Sequence, residues 1–194
     1  RWFKDTVCKG MVDYDILTDS ASKVPAGCNG VTFLPYLTGG YGDLAGASGA
    51  FLNLTPDTDG GAMWRSVLEA IGYDYMGVTD RYRSAGIPLD RITITEGGST
   101  NVLWNQIKAD MLGCTAATMR NHGGAMTTNC IMAAYAAGDI PDMMDALKGA
   151  AEPDRTYIPD PGNTASYRSQ YEGRQKVLEG MKGVFPTLNS MGVR

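Results

Sequence analysis

The sequence predicts an α/β domain, and three observations carry that reading. Arg91-Ile-Thr-Ile-Thr95 alternates branched and polar side chains with the period of a strand, and Val102 to Leu112 then sets Leu103, Ile107 and Met111 at helical spacing. Thr115-Ala-Ala-Thr-Met119 is a second short strand, followed by a small-residue helix from Met126 to Ala137. Each strand passes into its helix through paired glycines, Gly97-Gly98 and Gly123-Gly124, so the middle of the chain reads β-α-β-α.

Composition narrows the function classes before any motif does. At 194 residues the chain suits one domain with a real core. Its net charge is -4 and its pI about 4.9, with Lys and Arg scattered, so nucleic acid and anionic membrane are disfavoured as partners. The longest unbroken apolar run, Cys130 to Ala137, is too short to span a bilayer. The opening RWFKDTVCKG has neither an apolar signal core nor an initiator Met, and the expectation is a cytoplasmic protein and a piece of a longer chain. Cys8, Cys28, Cys114 and Cys130 stand far apart with no CxxC, beside a single histidine. Free, mostly buried thiols are therefore expected rather than a zinc cluster or a disulfide framework.

In chain order, Trp2, Phe3, Val7, Met11 and Ile16-Leu17 fit one or two helices, and Ser20 to Gly27 reads as a further helical turn with a Pro/Gly break. Val31 to Leu37 is an apolar strand whose Pro35 argues for an edge or an irregular end. A glycine-rich loop, Thr38 to Gly49, separates it from a second strand, Ala50 to Leu54; a loop of that length is functional or mobile.

Thr55-Pro-Asp-Thr-Asp59 carries capping residues and opens the longest helix. Trp64, Leu68, Ile71, Tyr75 and Val78 recur on one face of it and are assigned to the core. Arg65 and Glu69, four apart, are expected to form a surface pair worth a few tenths of a kcal/mol.

Gly86 to Asp90 ends that helix. Gly113 suits the position just past the next one, and Gly138 stops the helix after that. Asp139 with Pro141 starts a helix from Pro141 to Lys148. Glu152 to Gly162 is an extended, proline-punctuated strap, and Asn163 or Thr164 caps a final helix to about Lys182 with Tyr167, Tyr171, Val177 and Leu178 on its apolar side.

The chemistry concentrates between Glu96 and Thr100. Glycine has no Cβ, so Gly97-Gly98 lets the chain turn sharply and lets another molecule approach its amides. Ser99 or Thr100 is placed to cap the following helix, whose free N–H groups and positive dipole end suit a phosphate. A tight strand-to-helix connection without a ligand is the other reading of the same residues. His122 lies in the second glycine turn with no Ser, Cys or carboxylate set out as a triad, and a solvated or hydrogen-bonded role is expected of it.

Four stretches in the right order resemble the C-terminal domain of the FGGY carbohydrate kinases, most closely its xylulokinase-like members. Gly30-Val-Thr-Phe-Leu-Pro-Tyr-Leu-Thr-Gly39 is similar to the family's GLLFLPYLSG strand, and Gly49-Ala-Phe-Leu-Asn-Leu-Thr55 to its RGAFxGLT strand. Arg65-Ser-Val-Leu-Glu69 resembles its RAVLEG helix, and Glu96 to Gly113 its GGGARSxxWxQxxADxxG signature. The resemblance implies an actin-like ATPase (ribonuclease H-like) domain, a mixed sheet flanked by helices, that closes with a second domain over ATP, Mg²⁺ and a sugar. It divides the chain into a partial connecting segment, residues 1–29, and the nucleotide-side domain, residues 30–194.

Carried across by position, the resemblance puts the backbone of Gly97 and Gly98 near the α-phosphate, Ser99 at the family's alanine, and Asn101 near the adenine. Trp104, Gln106 and Asp110 are assigned to packing and helix orientation. The family's catalytic aspartate and most of its sugar contacts belong to an N-terminal domain outside this sequence, so no residue here is assigned as catalytic or as a metal ligand. The implied partners are ATP, a sugar such as xylulose or a related pentulose, the absent N-terminal domain and, as an option, a second copy of the chain.

Three departures stand out: Glu96 at the family's first glycine, Thr38 to Leu44 in place of SGERTP, and Gly123 to Thr128 in place of E-x-A-A-L-G. The alternative they leave open is a non-catalytic actin-like regulatory or assembly module that has lost nucleotide binding. A Rossmann-type dehydrogenase is more remote, because no GxGxxG follows the first strand.

Overall fold

The computed structural model describes residues 1–40, 42–120 and 123–192. A short π-helical turn, Phe3–Val7, and helix α1, Tyr14–Ser22, bring Phe3, Leu17 and Ala21 into the principal core. β1, Thr32–Leu34, and β2, Ala50–Leu52, pair antiparallel as an outlying hairpin, each ending sooner than its apolar run. After β1 come Pro35 and the glycine loop. The proline has no N–H to extend the ladder, as an irregular strand end requires.

Helix α2, Gly60–Ser84, is the longest element, and the Asp59 carboxylate caps it by accepting from the Ala62 amide at 2.8 Å. β3, Arg91–Ile94, then α3, Val102–Leu112, then β4, Thr115–Met119, follow in order. β3 and β4 pair parallel with Ile92 opposite Ala116, and α3 is the crossover between them. Helices α4, Gly124–Ala137, and α5, Met143–Ala150, come next.

The strap then supplies a strand that proline content had concealed: β5, Pro153–Tyr157, pairs antiparallel with β4 and completes a mixed three-stranded sheet in the order β3-β4-β5. Pro153 stands at the first position of this edge strand, where a missing N–H is tolerated. Helices α6, Pro161–Met181, and α7, Val184–Met191, close the chain.

Two helix starts differ from the sequence expectation. α5 begins two residues late because Asp142, rather than Asp139, caps it, accepting from the Met144 and Asp145 amides. α6 is capped by Asp160, which accepts from the Asn163 amide at 2.8 Å, with Pro161 in its first turn; Asn163 and Thr164 lie inside the helix. Gly113 and Gly138 adopt the left-handed conformation that ends α3 and α4.

The buried face of α2 is not the one assigned to it. Trp64 and Leu68 are buried, but Tyr75 and Val78 are 43% and 38% exposed, and the covered side instead carries Arg65, Glu69, Gly72, Tyr73, Met76 and Thr79. The segment from Val24 to Cys28 and helix α6 lie over that side. Close approach explains the glycine, since a Cβ on Gly72 would collide with Met111 of α3.

Arg65 and Glu69 consequently form a buried pair, not a surface one, at 6% and 2% exposure. Arg65 donates to Glu69 at 2.8 Å, to the Val24 carbonyl at 2.8 Å and to the Tyr167 hydroxyl at 3.0 Å. Tyr167 in turn donates to Glu69 at 2.7 Å. Such a network stabilises because every buried charge is paired and hydrogen-bonded.

Candidate functional site

Chain geometry is most unusual where β3 gives way to α3. Glu96 has φ 62° and ψ −166°, a region that glycine alone enters without strain. The family's preference for glycine at this position therefore has a backbone cause. Residues Gly97–Thr100 form a single 3₁₀ turn. The Glu96 carboxylate leaves that turn altogether and accepts from the Ala125 amide in the first turn of α4 at 3.3 Å.

The expected caps do not cap. Ser99 is 4% exposed and donates its hydroxyl to the Glu96 carbonyl at 2.7 Å, while Thr100 donates to the Gly97 carbonyl at 3.0 Å. Asn101 takes the capping position: its Oδ1 accepts from the Trp104 amide at 2.9 Å, and its Nδ2 donates to Thr18 of α1 at 2.9 Å. A hydroxyl bonded within its own turn has no reach left for the helix amides, whereas the longer Asn side chain spans that distance.

A cleft of about 560 Å³ opens on this turn. Gly97, Gly98 and Asn101 form one wall, Tyr14 and Thr18 of α1 another, and Trp64, Leu68 and Ile71 of α2 the apolar floor. The stripe read as core on α2 thus lines a cavity. A Cβ on Gly97 would meet nothing within 4 Å, so its backbone is open to a ligand, while one on Gly98 would press on Trp104 at 3.1 Å. The Trp64 indole nitrogen is buried and, among the described residues, has no hydrogen-bond partner. An apolar slot beside an open glycine backbone near a helix start suits a flat base joined to an anion.

Two residues that sequence reasoning did not single out hold the turn from behind. Asn105, fully buried, donates to the Ser99 carbonyl at 2.7 Å. The Lys108 ammonium stands 3.4 Å from the Gly98 carbonyl and 3.8 Å from the centre of the Trp104 ring. Burial pulls the Lys108 pKa down to about 8. The spacing of Asn101, Asn105 and Lys108 on one face of α3 was the signal available in the sequence.

Trp104, Gln106 and Asp110 do serve packing and orientation. Trp104 donates to the Leu68 carbonyl at 3.1 Å, and Gln106 to Asp110 at 2.8 Å. Asp110 accepts from the Asp160 amide and the Asn163 side chain, both at 2.9 Å, which ties α3 to the start of α6.

Among the described residues no cluster of His, Cys, Asp and Glu side chains is arranged to hold a metal ion, and no helix is long and apolar enough to cross a membrane. Among the residues lining the cleft, Asp15 is the one carboxylate. His122 and its neighbour Asn121 lie outside the described residues.

Mixed sheet, crossover helix and glycine turn belong to a domain of the actin-like, ribonuclease-H-like fold. The chain matches xylulose kinase of Rhodospirillum rubrum in structure with a TM-score of 0.79 at 24% identity, over 95% of this chain and 38% of that one. In sequence it is 26% identical over 185 residues to xylulose kinase of Staphylococcus epidermidis, covering 94% of this chain and 37% of the relative. It is also 26% identical over 184 residues to gluconokinase of Bacillus subtilis, covering 87% and 35%.

Residues 4–137 match the profile of the C-terminal domain of the FGGY family of carbohydrate kinases. The chain belongs to that family. It spans little more than a third of the length of the curated relatives it matches.

Proposed function

We propose that this chain is the nucleotide-side domain of an ATP-dependent sugar kinase, and that the cleft at Gly97-Gly98 receives the adenosine and α-phosphate of the nucleotide. The observation that carries the reading is the cleft itself, with the family's glycine signature on one wall and an apolar floor from α2. Gly97 and Gly98 offer backbone to the phosphate. Ser99, buried and bonded to Glu96, contributes main chain only, and Asn101 fixes the wall against α1 and lies toward the base.

In this reading Mg²⁺ travels with the nucleotide's phosphates, and the γ-phosphoryl group passes to a sugar hydroxyl held by an N-terminal domain joined through residues 1–29. Positioning and charge neutralisation supply most of the rate in such transfers. Xylulose or a related pentulose is the proposed acceptor, supported by the likeness to xylulose kinases; the gluconokinase match makes a sugar acid the competitor. The kinase works in the cytoplasm, and the isolated chain binds nucleotide without turning it over.

Titrating the ¹⁵N-labelled chain with Mg²⁺-ADP tests this directly. Saturable shifts at the amides of Gly97, Gly98, Ser99 and Asn101 are expected, and they vanish in Gly97→Val, whose side chain enters open space without touching the core. Gly98→Val is a poorer probe because it displaces Trp104. An unshifted spectrum at millimolar nucleotide overturns nucleotide binding by this chain and favours the non-catalytic module, a reading that the Glu96 carboxylate seated at the start of α4 supports.

A further inference from the structure

Lys108 is a buried cation with no counter-ion among the described residues. It is 5% exposed and, among the described residues, takes part in no salt bridge. Its ammonium instead faces neutral groups: the Gly98 carbonyl and Asn105 Oδ1, each at 3.4 Å, and the Trp104 ring. Leaving a charge in that state is costly, and an apolar side chain of the same length would fill the space without the penalty.

The position of the ammonium points to where the missing anion comes from. A Cβ on Gly98 would stand 3.7 Å from Nζ, so the charge lies directly against the second glycine of the turn. Gly98 and Trp104 line both the candidate nucleotide cleft and the neighbouring groove whose wall includes Lys108. One thickness of backbone therefore separates the ammonium from the cleft. With so little water between, a charge on one side is weakly screened from a charge on the other.

We propose that Lys108 is a positioning residue for nucleotide binding: it holds the Gly98 carbonyl and supplies, through the glycine turn, the positive charge that a phosphate in the cleft completes as its counter-ion. This rests on the nucleotide reading above. Arg1 and Asp15 also line the cleft, where Arg1 is exposed and paired with Asp5 at 3.1 Å. Tyr75 and Tyr82 of α2 line the neighbouring groove, and Tyr157 of β5 reaches Asn105 at 3.3 Å. Arg83 of α2 donates to the Leu112 carbonyl at the far end of α3, and Asp110 is engaged with the start of α6. Glu96 accepts from Ala125, Arg91 stands exposed at the start of β3, and β4 carries no ionisable side chain.

A bound phosphate raises the Lys108 pKa above its free value of about 8. Affinity for a phosphorylated ligand is then complete below that value and lost as pH rises through it toward the bound-state value. For this chain at constant Mg²⁺, the Kd for ADP is expected to weaken about tenfold between about pH 7 and about pH 9.5, while the Kd for adenosine stays level. Lys108→Arg keeps its charge throughout, so it retains ADP affinity and flattens the profile. Lys108→Met, close in shape, weakens ADP about tenfold at about pH 7, leaves adenosine unchanged and is equally flat.

Thermal melts establish that both variants are folded. Wild-type ADP affinity that is level with pH, or Lys108→Met binding ADP as wild type does, overturns the proposal while leaving the nucleotide reading intact. Failure of both ADP and adenosine to bind overturns the nucleotide reading and this proposal with it.

Discussion

Glu69 accepts from four groups: the Arg65 guanidinium, the Tyr167 hydroxyl, the Gly27 amide at 3.1 Å and the Cys28 thiol at 3.2 Å. Burial first, and then the Glu69 carboxylate, push the Cys28 thiol well above the ordinary range, so it stays protonated and donates. Because the carboxylate compensates a buried guanidinium, Glu69→Gln is expected to destabilise the chain by about 3 kcal/mol, read as a lowered urea midpoint. A surface pair would give a few tenths. The four-residue spacing of Arg65 and Glu69 was legible in the sequence; its burial was not, since Tyr167 and Val24, which cover it, are remote along the chain. Glu96 is the complementary case. Its identity was visible as a departure from the family, but the left-handed backbone beneath it, and the turn of its carboxylate toward α4, come only from where β3 delivers the chain.

Among the elements, α3 and β4 have the bounds that periodicity and a terminal glycine predict, because their signals are local: helical spacing, then Gly113, then a short β-favouring run. The misplaced starts of α5 and α6 also had local signals. Asp142 precedes the apolar turn, and Asp160-Pro161 is a cap followed by a first-turn proline. β5 could not be read this way, since an edge strand of Pro, Asp, Arg and Thr before its one buried residue, Tyr157, owes its structure to pairing with β4. The joint between α3 and α6 runs through Asp110, which is 2% exposed. Asp110→Ala is expected to cost about 2 kcal/mol by leaving the Asp160 amide and Asn163 without their acceptor, and to raise amide exchange in the first turn of α6 ahead of the rest of that helix.

For the molecule as a whole, burial sets the core apart from the periphery. The principal core gathers Phe3 from the first turn, Leu68 and Met76 from α2, Ile107 and Met111 from α3, and Tyr167 from α6. Helices α4 and α5 contribute no buried residue. Cys130 sits exposed on α4, and Cys28 is fully buried under the Glu69 network. Alkylation of the native chain is therefore expected to modify Cys130 first, with Cys28 reacting only at the rate of global unfolding, as peptide mapping after timed labelling would read out. Equal rates would mean that the core opens locally.

By itself the sequence determined the β-α-β-α order, the glycines that turn and end the elements, and the four stretches that mark the FGGY family, because each depends on residues a few positions apart. Tertiary structure alone decided which face of α2 is covered, that its apolar stripe floors a cleft, that Asn101 caps α3, and that Lys108 lies uncompensated behind Gly98. The physical reason is reach. Burial, local dielectric and cavity shape depend on partners as distant as Tyr167 from Arg65 or Phe33 from Arg174, and no local spacing encodes them.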